Sequence, residues 1–418
     1  MHTIVQPTSR QIKLRVGKDN KPKQADVQGI VLAGAHLWGN SILEQVVCWP
    51  LLPIANCPII SHTLKWFREG GIRSANICAN SDTVALIQHL GDGESMDLLL
   101  DYYEDMMPRG PAGCVRDVIV NSDAVTFVVV EGTILPRIDI ENLIRVHNSS
   151  NAILTVAATN PNKAESQPTQ ALEPVGIYVF SRSVVEYILA TGYQDIKETL
   201  IPDLYAKGQH IATYYVDSGS ALRVHGADSC LTVSRYIVKQ IAGKDAAPEG
   251  YVCKGEARVH KSARVDSTVR FVGPVLIASG CVIEAGVMIV GPTSIGEGCT
   301  IGGNAIISRS AIWSNCSIGA GAILDHCILT DNSLVDSMLV IRNTVFVPTK
   351  SHRSLLNRGL GSNLRVTDKL RFSNAALGGN GANSVAYGYG PVNGMKDKSI
   401  GCPEGNQPQA IKQSIKGV

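Results

Sequence analysis

The chain has 418 residues, a net charge of +2, 44% apolar residues and only 5% aromatic ones. That length accommodates two or three domains, and so small a net charge excludes a general electrostatic attraction to nucleic acid or to an acidic membrane. A charged fraction of 18% together with 40 glycines favours a β-rich solenoid over a helical bundle.

Residues 1–26 read as a flexible N-terminal arm, with a solvated basic run between Lys13 and Lys23. The N-terminus shows no signal-peptide pattern and no run of about 20 apolar residues spans a membrane, so a cytoplasmic protein is expected. The 11 cysteines are scattered without a C-x-x-C pair, which predicts buried free thiols and no structural zinc. QGIVLAG, Gln28 to Gly34, reads as a buried strand ending in a glycine turn. Ile60, Leu64 and Phe67 share one face of a helix that Gly70 and Gly71 end. SANICAN is a second strand, and SDTVALIQHLGDG a helix capped by Ser81 or Asp82. AVTFVVVEG, Ala124 to Gly132, is apolar as a strand buried on both faces must be. Strands alternating with helices predict a parallel sheet in an α/β domain over residues 27–245.

Beyond Tyr251 the apolar period becomes six. Val259, Val265, Phe271, Ile277, Ile283, Ile289, Ile295, Ile301 and Ile307 hold it without a break. It slips and resumes at Ile312, Ile318 and Leu324, then slips again and resumes at Leu334, Val340 and Phe346. Such hexads predict a parallel β-helix over residues 252–347, each hexad a short strand and a corner with its aliphatic residue in the bore. Residues 348–418 are rich in Gly and Asn and read as a mobile tail.

An α/β domain followed by hexads resembles the sugar-1-phosphate nucleotidyltransferases. The closest form is the long one with a C-terminal left-handed β-helix, as in mannose-1-phosphate guanylyltransferases and ADP-glucose pyrophosphorylases. The family's opening LAGG-x-GTRL-x-PLT…PKPL-x-PV-x-x-x-P aligns without a gap on Leu32-Ala33-Gly34, Leu43, Pro50-Leu51, Pro53 and Pro58. LGDG at Leu90 to Gly93, PRGPAGCVRD at Pro108 to Asp117 and EPVGIYVF follow in the family's order. The resemblance implies a Rossmann-like nucleotidyltransferase domain before the β-helix. It implies a reaction in which a sugar-1-phosphate oxygen attacks the α-phosphorus of a nucleoside triphosphate and pyrophosphate leaves. That chemistry needs a loop Arg and Lys, and Mg²⁺ held by Asp. On this alignment Leu32, Ala33, Gly34, Arg109, Gly110, Ala112 and Gly113 are the remnant of a nucleotide site.

The chain departs from the family at the charged positions. Ala35 and Leu37 replace loop glycines, Trp38 the Thr, Gly39 the loop Arg and Trp49 the Lys. Thr133 stands at the metal-binding Asp, Arg223 at the second metal Asp and Pro174 at an Asn, and the sugar-binding hairpin after Thr155 is short. No residue is therefore assigned a catalytic role and no metal site is assigned. Glu131 is the one metal candidate, with Asp139, against a strand-end carboxylate and a helix N-cap. Arg109 and Arg116 are weighed as phosphate ligands against salt bridges. Trp38 and Trp49 are expected to fill the vacated pocket.

The expected function is that of a catalytically degenerate homologue, a regulatory or scaffold subunit in sugar-nucleotide metabolism. One alternative is an active nucleotidyltransferase with a rebuilt site, the only case calling for Mg²⁺. The other is a hexapeptide acyltransferase using His326 or His260 as base. The expected partners are a nucleotide or sugar nucleotide, and a second copy or an active homologue in an oligomer.

Overall fold

The computed structural model describes residues 9–12, 26–34, 42–80, 82–105, 109–159, 173–348 and 366–369. The loop departures at Ala35, Leu37, Trp38 and Gly39, the shortened hairpin over 160–172 and most of the tail lie outside the described residues.

The N-terminal half is built on eight strands: β1 Ser9–Ile12, β2 Val27–Leu32, β3 Ser74–Ala79, β4 Leu99–Asp105, β5 Thr126–Glu131, β6 Leu154–Thr159, β7 Glu173–Ser181 and β8 Ile211–Val216. They lie in the order β1-β4-β3-β2-β5-β7-β6-β8. β2 runs parallel to both β3 and β5, and β3 to β4, while β7 is antiparallel to β5 and β6. Alternation along each strand sends neighbouring side chains to opposite faces. Val31, Ile77 and Val130 pack with Ile60, Leu64 and Phe67 of α1 (Ile59–Glu69) and with Leu86 of α2 (Thr83–Leu90). Ile30, Cys78 and Val129 pack on the other side with Ala112, Val115 and Ile119 of α3 (Gly110–Val120). Both faces of the central strands are thus buried, which is why they read as uninterrupted apolar runs. Asp139 caps α4 (Ile140–Ser150), its Oδ1 accepting from the Asn142 N–H at 3.0 Å.

The arm expected to be flexible throughout contributes β1, which pairs antiparallel with β4. The reason is local: without it the outer edge of β4 would present unpaired backbone groups.

After α5 (Ile201–Ala206) and α6 (Ala227–Ala242), the chain enters a parallel β-helix. Its first strand, Tyr251–Lys254, runs antiparallel to Ala257–His260 and caps the first face at one end. Three faces then stack coil on coil in parallel register. Val275–Ile277 and Thr293–Ile295 lie on the first face, Val282–Ile283 and Thr300–Ile301 on the second, Met288–Val290 and Ile306–Ser308 on the third. At the far end Val366–Lys369, within the segment expected to be a mobile tail, pairs antiparallel with Thr344–Phe346.

The two slips in the hexads have one cause. Ile277 to Ile295 is 18 residues, but Ile295 to Ile312 and Ile312 to Leu329 are 17 each. The residue is lost at the corner between the third and first faces. Gly273-Pro274 and Gly291-Pro292 make that corner in the early coils, and one residue in the left-handed region makes it later: Arg309 (φ 49°), His326 (φ 57°) and Asn343 (φ 51°). Two bore residues therefore differ from expectation. Val335 and Ile341 fill the bore, at 4% and 5% exposure, while Leu334 and Val340 face outward at 38% and 51%. Leu329, missed by the period of six, is a bore residue.

The first face of the coil packs on the α/β lobe. Ala311, Trp313, Ile328 and Val345 share a core with Leu43, Leu52, Ile54 and with Cys230, Leu231 and Val233 of α6. Trp49 belongs to this core, its Nε1–H donating to Glu44 at 3.1 Å. It packs between the lobe and the coil, not in a vacated phosphate pocket. The described residues from both halves fall in one compact unit, Met1–Phe372.

Candidate functional site

A cavity of about 120 Å³ opens at the C-terminal ends of β2, β3 and β4, beside the start of α3. This is the strand-end crevice where open α/β sheets hold ligands. Leu32 and Gly34 line it from β2, Ala79 and Asn80 from β3, and Gly110 from α3. Gly110 has φ +79°, and a Cβ there would lie 2.6 Å from the Gln194 carbonyl oxygen and 3.0 Å from the Tyr193 ring, so the turn requires glycine. Of the seven residues read as a nucleotide remnant, Leu32, Gly34 and Gly110 reach the cavity. Ala33 and Ala112 are core residues at 1% and 0% exposure, and Gly113 lets α3 pass close to the Arg109 side chain.

Arg109 is turned inward and is 4% exposed. Its guanidinium pairs with Asp117 and donates to the Ala190 carbonyl at 3.3 Å. Arg116 donates to the carbonyls of Val185 and Ile188 at 2.6 and 3.0 Å. Both arginines therefore fix the segment that follows β7 to α3, and neither lines the cavity. Among the described residues the lining holds no cation; it holds the Asp105 carboxylate and the thiols of Cys78 and Cys114. Burial holds the Asp105 carboxyl above its ordinary range, and the hydrogen-bonded Cys114 thiol, with burial and the nearby carboxylates, raises Cys78 well above its own. Such a wall suits an uncharged ligand group better than a triphosphate.

At the expected metal position, charge has been rearranged. Arg223 ends the strand Ala221–Arg223, which pairs antiparallel with Ile134–Pro136 and so sits beside Thr133. Its guanidinium pairs with Glu131, and Lys197 Nζ lies 3.1 Å from the other carboxylate oxygen. Lys197 is placed by Asp195, whose Oδ1 accepts from the backbone N–H groups of Lys197 and Glu198 at 2.7 and 2.9 Å. Burial alone would raise the Glu131 pKa, but the two cations outweigh it and bring it down to about 2. Gly176 (φ +82°) admits this group, since a Cβ there would lie 2.7 Å from both the Glu131 carboxyl carbon and an Arg223 nitrogen. Thr133 is 6% exposed and its carbonyl accepts from Val224, while Asp139 is engaged as the cap of α4.

A divalent cation does not fit here. Mg²⁺ needs several oxygen ligands with uncompensated negative charge. The single carboxylate is already paired with two cations, and no group of three or more His, Cys, Asp or Glu is placed to hold a metal among the described residues. Arg223 was the one signal in the sequence, since a cation at a carboxylate position calls for an anion nearby. Nothing in QDIKETL singles out Lys197.

His326 occupies a corner of the coil, its Nδ1 3.3 Å from Asp325, whose carboxylate receives Arg309 at 2.7 and 2.9 Å. Burial lowers the His326 pKa. His260 bonds to the neighbouring Ser262 at 2.8 Å. Both contacts are local to their corners.

Residues 43–168 match the family model described as Nucleotidyl transferase, and residues 253–376 that of the GMPPB C-terminal domain. A mannose-1-phosphate guanylyltransferase of Mycobacterium tuberculosis is 25% identical over 281 residues, covering 62% of this chain and 77% of its own length. A mannose-1-phosphate guanyltransferase of Yarrowia lipolytica is 23% identical over 267 residues, 57% of this chain and 73% of its own. A glucose-1-phosphate thymidylyltransferase of Streptomyces griseus is 22% identical over 288 residues, 61% and 78% respectively. The nucleotides and sugars in those names differ, but the α/β lobe, the coil behind it and the order of the two matches agree: the chain belongs to the sugar-1-phosphate nucleotidyltransferase family.

Proposed function

We propose that this chain is a non-catalytic member of its family, a regulatory or scaffold subunit in sugar-nucleotide metabolism. The observation that carries the reading is the Glu131–Arg223–Lys197 group, which puts two cations where the reaction calls for a metal. Losing one charge-stabilising group commonly costs about 10²–10³ in rate. Here the metal's carboxylates themselves are replaced, and they are prerequisites for the phosphoryl transfer. The inward turn of Arg109 and Arg116 supports the same reading, because the nearest cations of α3 are committed to protein groups. In this proposal a nucleotide or sugar nucleotide binds as a signal, with only its uncharged base or sugar entering the cavity beside Gly110.

The test is pyrophosphate release from each nucleoside triphosphate with mannose-, glucose- and N-acetylglucosamine-1-phosphate, in Mg²⁺ or Mn²⁺. The expected rate is that of the blank, with ligand binding detected by thermal shift. Turnover that falls when Glu131 is replaced by Gln would overturn the proposal in favour of a rebuilt active site.

A further inference from the structure

Among the described residues, thiols touch one another in two places. In the bore of the coil Cys281, Cys299 and Cys316 stack at 0%, 0% and 1% exposure. Each also donates to a backbone carbonyl of the next coil, at 3.0, 3.0 and 3.2 Å. Those S–H groups are enclosed and engaged, and they serve as small core residues. The second place is the wall of the strand-end cavity. Cys78 near the end of β3 and Cys114 near the start of α3 both line it, and their thiols hydrogen-bond to each other. Cys78 packs with Ala112 and Val115 at 1% exposure, while Cys114 is half-buried and the more accessible of the two.

No close acceptor holds either sulfur away from the other. Cys78 Sγ is 4.0 Å from the Cys114 carbonyl oxygen, and Cys114 Sγ is 3.8 Å from Asp105 Oδ2. A disulfide needs its sulfurs at about 2.05 Å, which thiols already in contact approach by side-chain rotation. Asp105, at the end of β4, supplies a base beside the more accessible sulfur. Its Oδ2 accepts from the Arg109 backbone N–H at 3.2 Å, while its Oδ1 is buried without a partner. A buried carboxylate so poorly satisfied is relieved by taking up a proton, and burial accordingly raises its pKa. Oxidant, nucleophile, base and second thiol can therefore meet in one crevice that opens to solvent.

We propose that Cys78 and Cys114 form a redox modification site, a dithiol that hydrogen peroxide converts to a disulfide with Asp105 as the base. The Cys114 S–H gives its proton to Asp105, and the sulfur attacks one peroxide oxygen. The O–O bond breaks, and the departing hydroxide takes the proton from Asp105 and leaves as water. The Cys78 sulfur then attacks the sulfur of the Cys114 sulfenic acid. The S–O bond breaks, and hydroxide leaves as water with the Cys78 proton. Two thiols and one peroxide thus give one disulfide and two waters; the sulfurs lose two electrons and the peroxide oxygens gain them. The product ties α3 to β3 and removes both S–H groups from the cavity wall, so the lining of the crevice changes with redox state.

The test is hydrogen peroxide treatment of the full chain, read by intact mass and by peptide mapping without reductant, with circular dichroism to show that each variant is folded. The expected result is loss of two hydrogen atoms, a Cys78–Cys114 cross-link that dithiothreitol reverses, and slower hydrogen exchange at the start of α3 in the oxidised form. Cys78→Ser should stop at a Cys114 sulfenic acid that dimedone traps, and Cys114→Ser should leave Cys78 reduced. Asp105→Asn should slow the cross-link about tenfold or more. The proposal is overturned if no cross-link forms at a peroxide level that oxidises the exposed Cys253. A cross-link between other cysteines, or a rate unchanged by Asp105→Asn, overturns it equally.

Discussion

Glu131 shows how much a single side chain decides here. Its pKa is lowered from 4.5 to about 2 by Arg223 and Lys197 against the opposing effect of burial. A carboxylate with a depressed pKa stabilises the fold fully above its unfolded value, and the contribution is lost as pH falls from 4.5 towards 2. The shift corresponds to about 3 kcal/mol. Urea unfolding of Glu131→Gln at neutral pH should therefore show a loss of that order, shrinking towards zero as the pH approaches 2. His147 acts in a higher window. Its ring bonds Thr155 and Ser181 at 2.8 and 3.0 Å, and burial lowers its pKa from 6.5 to about 4. The neutral ring costs nothing above 6.5, and stability falls as pH drops from there towards 4. Replacing His147 by Gln should flatten the stability profile between those limits, which chemical denaturation at a series of pH values would reveal. At this scale the sequence was half legible. Arg223 advertised itself by standing where an Asp belongs, and Gly110 by its turn. Arg109 was open to two readings because direction is not written in residue type: its side chain meets Asp117 about two helical turns away, on the buried side of α3.

Among the elements, the coil was the most legible and its corners the least. The period of six finds every strand up to Ile307, because one face of each short strand must be aliphatic to fill the bore. It cannot count a corner shortened by one residue, since Arg309, His326 and Asn343 carry no glycine signature for their left-handed backbone. Once the corner shortens, a period of six lands one position early, on Leu334 and Val340. The coil spacing itself leaves no slack. Gly319 lies under the next coil, where an added Cβ would overlap the backbone nitrogen of Ser337, and at Gly302 it would come within 2.6 Å of the Ala320 nitrogen. Gly319→Ala should lower stability by about 1–3 kcal/mol, measured as a fall in the thermal midpoint. The usual gain from a stiffer unfolded chain, about 0.4–1 kcal/mol, is too small to offset it. An unchanged midpoint would mean that the coils can separate locally without cost.

The whole molecule is less divided than a boundary near residue 250 suggests. Trp49, Leu52 and Ile54 of the lobe share one core with Trp313, Ile328 and Val345 of the coil. The described residues of both halves should melt in one calorimetric transition, and Trp49→Ala, at about 3–5 kcal/mol, should lower that transition as a unit. Two separate transitions would show that the shared core is not what couples them. The sequence hid this interface because an outward aliphatic column reads like one more run of the hexad pattern. The stacking of the coil sets a further condition, on which changes of length the gene can tolerate. Between Ala257 and Phe346 an insertion or deletion inside a strand must remove or add a whole turn of 17 or 18 residues, or the faces fall out of step with the turns beneath them, whereas the corner between the third and first faces has absorbed the loss of one residue. A duplicated turn would lengthen the rod by about 4.8 Å and would carry Val366–Lys369 outward with it, intact at its new last rung. Length variation inside the strands should therefore come in steps, single-residue changes should be confined to that corner, and any variant that breaks the step inside a strand should be found unfolded.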